Sequence, residues 1–401
     1  LAPRKKEEIQ QNLQEVEEAL SFNLADIEGI GPVKLKKMHD NGIFEASDLI
    51  IRGPKELAVL LDLDTSQTTK MIEDAKEYLR SKGVVKKAVF TGREYYNFET
   101  LTRYKLSSGV EGFDEIMNGG FESGSLTELY GEFSSGKTQF CFLSTIIAQL
   151  PYKKKCHRCF EVFNDQKIER CPKCDVKTIK IGGLSEEGQP CRIIYIDTEG
   201  TFKPHRIEQI IYERGLVQTK VQTKLEEKRK DPKKPLNEEE REKALKFLDN
   251  VILIKVSNAG HQTLVGEELG TYINDKIQAP VRLVIIDSIT ATFRLDFLGR
   301  GEIGERQQYL TKHVKHISRL CDTYNIVGII TNQVLKSPTG FGDPNVASGG
   351  TVLAHTSSHR IYLQKSGKKI VARIVDSPDH AKSEVILELT NKGVEDATAS
   401  S

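Results

Sequence analysis

Gly131 to Thr138 read G-E-F-S-S-G-K-T, between two segments of opposite periodicity. Before them, Ser125 to Tyr130 alternates apolar and polar residues as a strand does. After Gln139, Phe140 to Leu150 has the length and spacing of a helix. A G-x-x-x-x-G-K-[ST] segment in that setting is a phosphate-binding loop. Gly131 and Gly136 let backbone N–H groups turn into one concavity at a helix N-terminus, where a polyphosphate is favoured. Lys137 is placed to reach the β and γ phosphates, and Thr138 to set its hydroxyl on Mg2+. Glu132, Phe133, Ser134, Ser135 and Gln139 complete the loop and its exit. A glycine turn that matches by chance is the bland alternative. The feature points to a nucleoside triphosphate, with ATP the first choice.

Lys+Arg (58) and Asp+Glu (57) nearly cancel over 401 residues, so binding to nucleic acid needs local basic patches rather than a global field. No apolar run is long enough to span a membrane, so no membrane partner is expected. Residues 1–14 are charged and Gln-rich, without the apolar stretch of a signal peptide. The expectation is a cytoplasmic, nucleoid-associated protein. Of seven Cys, four form two C-x-x-C units, which in a reducing compartment indicate metal rather than disulfides.

Residues 1–21 read as a flexible tail and 22–82 as a small helical domain. In the latter, Gly29 and Gly31 permit a tight hairpin between helices, and Pro32 suits the first turn of the second. Backbone N–H groups there, with Lys34, Lys36 and Lys37, suit a DNA phosphate. The pattern resembles a helix-hairpin-helix; a plain packing module is the alternative. Residues 83–105 read as a linker, with a short β-rich run from Val84 to Phe90 that has nothing local to pair with.

From 106 to 401 strands alternate with helical segments, which implies an α/β fold with a twisted, mostly parallel sheet. Arg192 to Asp197, Val251 to Val256, Val281 to Asp287 and Ile326 to Thr331 are its predicted buried strands. Ligands of such sheets bind at the carboxyl ends of the strands, where Asp197, Thr198, Glu199, Asp287, Ser288, Asn332 and Gln333 fall. Asp287 has the form of the acidic strand end that supports Mg2+. Glu199 is placed to polarise an attacking water, and Gln333 to sense the γ phosphate. A capping role is the alternative for each carboxylate taken singly.

These runs together resemble the archaeal RadA recombinases, kin to the eukaryotic strand-exchange recombinases and to bacterial RecA. They are Gly131 to Gln139, Tyr195 to Phe202, Ile286 to Arg294, Phe297 to Glu302, Ile330 to Gln333, Gly349 to His355 and Arg373 to Pro378. The resemblance covers about Phe22 to Asp396 apart from two insertions. It implies a RecA-like core with ATP bound between subunits of a DNA filament or ring. It also implies that Phe90 inserts into a neighbouring core, although Arg93 stands where the family usually has a small residue. Arg206 would lie near the nucleotide base. Asp376 would cap the neighbour's ATP, with Ala381 where eukaryotic relatives tend to have Pro. His355 and Gln333 would couple γ phosphate to DNA.

Arg294 to Arg306 puts Arg294, Arg300 and Arg306 on a Gly-punctuated segment, able to fork onto phosphates and follow a strand. Val334 to Gly350 is long and rich in breakers. Without the resemblance both would read as ordinary surface loops; with it they are the DNA-binding loops, for single- and double-stranded DNA. The first insertion, within 151–190, carries Cys156, Cys159, Cys171 and Cys174, four thiols spaced to hold a structural Zn2+. A solvated excursion and a contact to DNA or a neighbour are both open for it. The second, 218–248, is dense in Lys and Glu, with a helix expected over Glu238 to Leu248 and a Glu239–Lys243 pair. Cys141, Cys191 and Cys321 read as buried positions. The functional expectation is a DNA-dependent ATPase that pairs homologous strands. A recombination mediator that loads another recombinase, or a hexameric helicase on the same core, are the alternatives, and separate mediators are possible partners.

Overall fold

Gly31 is extended, with φ −86° and ψ 173°, and Pro32 follows at the first position of helix α1 (Pro32–Asp40). Proline's missing N–H costs nothing there. The turn before it needs Gly29, whose φ is +84°. With α2 (Ala46–Ile50), α3 (Pro54–Leu61) and α4 (Thr65–Ser81), α1 encloses a small core of Leu24, Met38, Ile43, Leu49, Leu57 and Ala75. The computed structural model describes residues 23–50, 52–81, 91–156, 159, 161–175, 178–186, 189–217, 238–277, 279–336 and 345–397. The chain forms two units, Leu1–Thr100 with Glu267–Thr271, and Leu101–Gly266 with Tyr272–Ser401. The tail, the run Val84 to Phe90 and most of the second insertion lie outside the described residues. In the stretch read as a linker, Gly92–Thr102 is a helix, α5. Thr91 and Glu94 start it by exchanging side-chain-to-backbone hydrogen bonds, a capping box.

The second unit opens with β1 (Lys105–Leu106), α6 (Glu111–Ile116) and β2 (Phe121–Glu122). Next come β3 (Leu126–Gly131) and α7 (Lys137–Ile147). A separate three-stranded antiparallel ribbon, β4 (Tyr152–Cys156), β5 (Val162–Phe163) and β6 (Thr178–Gly182), carries the C-x-x-C units. After it run β7 (Arg192–Asp197), α8 (Pro204–Glu213), α9 (Glu238–Asp249), β8 (Val251–Lys255), α10 (Ala259–Lys276) and β9 (Val281–Asp287). Then come α11 (Ala291–Asp296), α12 (Ile303–Thr323), β10 (Val327–Lys336), β11 (Asn345–Ala347) and α13 (Thr351–Thr356). The chain closes with β12 (His359–Ser366), β13 (Lys369–Asp376), β14 (Glu384–Thr390) and β15 (Gly393–Asp396).

The main sheet has the order β15-β14-β13-β12-β3-β10-β9-β7-β8. Strands β12 to β8 of that path are parallel, and β13, β14 and β15 add an antiparallel margin. Every residue of β3 is buried, as a strand covered on both faces must be. Strand β8, read as buried, instead ends the path, and Leu253 is 37% exposed. In α7, Phe140 to Ile147 are all buried, so the helix after the phosphate loop is part of the core. Cys141, Cys191 and Cys321 are buried, as expected. The helix expected in the second insertion is α9, with Lys243 Nζ 2.5 Å from Glu239 Oε1. Among the described residues no helix is long and apolar enough to cross a membrane.

Candidate functional site

The parallel register brings the functional side chains to one edge. Gly131 pairs with both Gln333 and Leu363, and Asp197 pairs with Asp287. Gly131 is required by space: a Cβ there would stand 2.2 Å from the Leu363 carbonyl oxygen. Gly136 caps α7 at φ +91°, a left-handed pose that glycine takes without strain. Lys137 Nζ folds into the concavity, donating to Gly131 O at 2.9 Å and Glu132 O at 2.8 Å. Phe133 at the tip is 90% exposed. The loop therefore has the donors and the cationic amine that a polyphosphate needs.

Thr138 Oγ1 donates to Asp287 Oδ2 at 2.8 Å. Tyr195 OH reaches the same oxygen at 2.9 Å, and Thr331 Oγ1 reaches Oδ1 at 2.5 Å. A hydroxyl and a carboxylate converging at the mouth of a phosphate loop form a hard-oxygen donor set that fits Mg2+. Burial raises the Asp287 carboxyl above its ordinary range and lowers Lys137 below its own. A bound metal beside the one and phosphates beside the other supply the opposite charges that counter both shifts.

Glu199 is exposed just beyond β7. Its Oε1 accepts from Ser288 Oγ at 2.5 Å and from Gln333 Nε2 at 3.0 Å. The other end of the same amide, Gln333 Oε1, accepts from Arg294 Nη1 at 2.7 Å. One glutamine thus joins the carboxylate beside the phosphate loop to the first Arg of the basic segment. Asp197 acts differently. Its carboxylate accepts the N–H groups of Glu199, Thr201 and Phe202, and so shapes the loop that holds Glu199 out. For this carboxylate the capping alternative holds.

Arg206 is tied to the phosphate loop's exit through Gln139 Oε1 at 2.9 Å. Its remaining nitrogens donate to Gln209 and to the carbonyls of Asn391 and Thr390. Asp376 is not at this edge. It pairs with Arg360 across the β12–β13 ladder, at the sheet end opposite Gly131, and is exposed. His355 is exposed on α13, whose approach is linked to the site by Ser348 N donating to Gln333 O at 2.8 Å. Gly29, Gly31 and Lys34 lie in the other unit, where Lys34 Nζ donates to Gly29 O at 3.0 Å. Phe90 lies outside the described residues.

The segment 294–306 departs from the open loop expected of it. Arg294 is in α11, Arg300 begins a 3-10 turn that ends at Glu302, and Arg306 is in the first turn of α12. Only Phe297, Leu298 and Gly299 lie between helical turns. Leu295 and Leu298 are 67% and 81% exposed, so apolar groups flank the arginines.

In the ribbon, the Cys156, Cys159, Cys171 and Cys174 sulfurs lie within 4.8 Å of one another. Three of the separations are 3.8 Å (156 to 174), 3.5 Å (159 to 171) and 3.6 Å (171 to 174). Four sulfurs each about 2.3 Å from a tetrahedral Zn2+ stand about 3.8 Å apart. The donor set fits zinc.

A phosphate loop with an acidic strand end is common to many ATPases. The profile of the Rad51 family matches residues 102–168 and 235–397. The chain belongs to the Rad51 family. Relatives include the DNA repair and recombination protein RadA of Cenarchaeum symbiosum, 34% identical over 378 residues, which are 94% of this chain and 79% of that protein. The protein of the same name from Ignicoccus hospitalis is 32% identical over 383 residues, 95% of this chain and 97% of its own. This Rad51-family chain is a RecA-type recombinase of DNA repair. The profile leaves out 169–234, which holds Cys171 and Cys174 and the first part of the charged insertion, but also β7 and Glu199. Glu199 is therefore placed by its own hydrogen bonds.

Sequence reading missed the buried network behind the site. Glu128, fully buried, accepts from Arg360 Nε at 2.6 Å and from Asn332 Nδ2 at 2.7 Å, while Arg360 lies over the Tyr130 ring. Asn332 Oδ1 in turn accepts from Thr290 and from the Gln333 N–H. An acidic residue inside an apolar strand was the available signal, since such a group is buried only with partners.

Proposed function

We propose that this chain is a DNA-dependent ATPase that assembles as a filament on single-stranded DNA and carries out homologous pairing and strand exchange. The observation that carries the reading is the run Ser288–Glu199–Gln333–Arg294, which ties the hydrolytic edge to the DNA-facing segment through one side-chain amide.

Lys137 and the N–H groups of 131–138 hold the β and γ phosphates. Thr138 and Asp287 hold Mg2+, which when bound neutralises charge developing on the phosphate oxygens. Glu199, exposed and already oriented by Ser288, positions water for in-line attack on the γ phosphate. Arg206 offers its face to the base. When a γ phosphate competes with Glu199 for the Gln333 amide N–H, the amide turns and its bond from Arg294 changes, which alters the pose of the segment bearing Arg294, Arg300 and Arg306. Those residues bind DNA phosphates without reading bases. Residues 334–350 and His355 also take part, which the bond from Ser348 N to Gln333 O supports, although 337–344 lie outside the described residues. Asp376 lies at the far end of its own sheet, which supports its closing the nucleotide of the next subunit, with Phe90 as the linking arm. Gly29, Gly31 and Lys34 add a weak grip on the DNA backbone. In the ribbon, the four cysteines hold a structural Zn2+ with no open coordination position. No bond in DNA is broken, so the bound nucleotide sets the filament's affinity for DNA.

ATP hydrolysis by the purified chain, with and without single-stranded DNA, tests the site. Glu199→Gln is expected to lower the DNA-stimulated rate by about 10²-fold or more while ATP binding persists. Hydrolysis within a few-fold of wild type would remove Glu199 from the mechanism. The zinc assignment has its own check. Cobalt-substituted protein should show thiolate-to-metal charge-transfer absorption that Cys171→Ser abolishes.

A further inference from the structure

Away from the nucleotide edge, the turn after β13 gathers three side chains of ligand type. His359 opens β12, Asp379 and His380 follow Asp376 in the turn, and one ligand atom from each lies within 4.8 Å of the others. The short approaches are His380 Nε2 to Asp379 Oδ2 at 3.4 Å and His359 Nδ1 to Asp379 Oδ1 at 3.7 Å. Both imidazole side chains are 2% exposed. His380 Nε2 is buried and makes no hydrogen bond: the Asp379 oxygen beside it is near enough for an ion pair but badly aligned for a hydrogen bond. A buried polar atom left without a partner is costly, and an absent ion is one explanation for it.

The spacing suits such an ion. Two ligand atoms each about 2.1 Å from a tetrahedral cation stand about 3.4 Å apart. We propose that His359, Asp379 and His380 form a transition-metal site for a divalent ion that takes imidazole and carboxylate together, namely Zn2+, Ni2+ or Co2+. The surroundings agree. Glu122 Oε2 is 3.8 Å from Nε2, the other nitrogen of His359, where an outer carboxylate orients a metal-binding imidazole. Lys105, the cation nearby, is paired with that same carboxylate at 2.8 Å. The Ser377 hydroxyl stands 3.0 Å from His359 Nδ1 and 2.9 Å from Asp379 Oδ1, and an entering ion takes its place at the nitrogen.

The site ties the first residue of β12 to the turn that Asp376 begins. A bound ion therefore fixes the pose of Asp376, and metal tunes the joint between subunits. That consequence, unlike the site itself, rests on the reading of Asp376 given above.

Untagged protein loaded with one Zn2+ per chain in the cysteine ribbon is titrated with NiCl2 and followed by calorimetry. The wild type is expected to take up one Ni2+ per chain, and Asp379→Asn and His380→Leu each to weaken uptake at least tenfold. His380→Leu replaces an unpartnered buried nitrogen with carbon, and its fold is checked by thermal unfolding. Ni2+ should raise the unfolding midpoint of the wild type and leave that of the variant unchanged. No uptake by the wild type, or equal uptake by all three proteins, overturns the site. Uptake that the variants abolish, with DNA-stimulated ATP hydrolysis indifferent to Ni2+, keeps the site and removes the link through Asp376.

Discussion

Gln333 engages both ends of one amide, Nε2 on Glu199 and Oε1 on Arg294, so a turn of that amide alters both contacts together. Gln333→Ala is expected to keep basal ATP hydrolysis within a few-fold and to lose its acceleration by single-stranded DNA. Rates measured over a DNA titration read both, and full acceleration in the variant would dismiss the coupling. A neighbouring residue carries strain instead. Ser134 sits at φ +62° within the phosphate loop, a left-handed pose that costs a side-chain-bearing residue about 1 kcal/mol. Ser134→Gly should raise stability by about that amount in denaturant unfolding. At this scale the sequence was legible where spacing carries the chemistry, as for Lys137, Thr138 and Asp287. It was silent where strand neighbours decide. Ser288 on Glu199, and Thr331 and Tyr195 on Asp287, are contacts made by adjacent strands and invisible along one chain. Arg206 was read only as lying near a nucleotide base, and nothing local foretold its bond to Gln139 or that backbone carbonyls would take its other donors.

Among elements, the segment 294–306 was misread through its glycines. Gly299 lies outside helical turns, while Gly301 sits in the 3-10 turn and Gly304 in the first turn of α12. Arg300→Ala is expected to weaken single-stranded DNA binding and to reduce the slope of log affinity against log salt by about 1. An unchanged slope would separate Arg300 from DNA. The capping box of α5 was legible as T-x-x-E at Thr91 to Glu94 but was obscured by reading the stretch as linker. Helix α12 also buries His313, whose Nδ1 has no partner, and burial lowers its pKa to about 3. The unfolded chain takes up this proton near the ordinary imidazole value, about 6.5. Between those values the unfolded state holds more protons, so stability falls as pH is lowered through the window. From neutral pH to about pH 4 the wild type should lose more stability than His313→Leu in parallel denaturant titrations. Equal losses would show that His313 is protonated in the folded chain.

For the whole molecule, alternation of strands and helices was enough to give a mostly parallel sheet, and the apolar runs gave its buried strands except β8, which ends the path. Strand order was not legible. β7 follows β3 in the chain yet lies beyond β10 and β9 in the sheet, a choice made by which faces can be buried together. That order sets Gly131 beside Gln333, and Asp287 beside Asp197, and so makes one edge from four distant stretches. It also sends Asp376 to the opposite end. In the proposed reading, such a chain would hold its own phosphate with one end and offer the Asp376 carboxylate to a neighbour with the other. Central to all of this is that ATP held by the phosphate loop lets the chain pair and exchange DNA strands by itself. The direct measurement incubates the purified chain with a single-stranded circle, a homologous linear duplex, ATP and Mg2+, and follows exchanged product. The wild type should form product with no second recombinase present, and Lys137→Ala should form none. Product that appears only when another recombinase is added, or that survives Lys137→Ala undiminished, would contradict that claim.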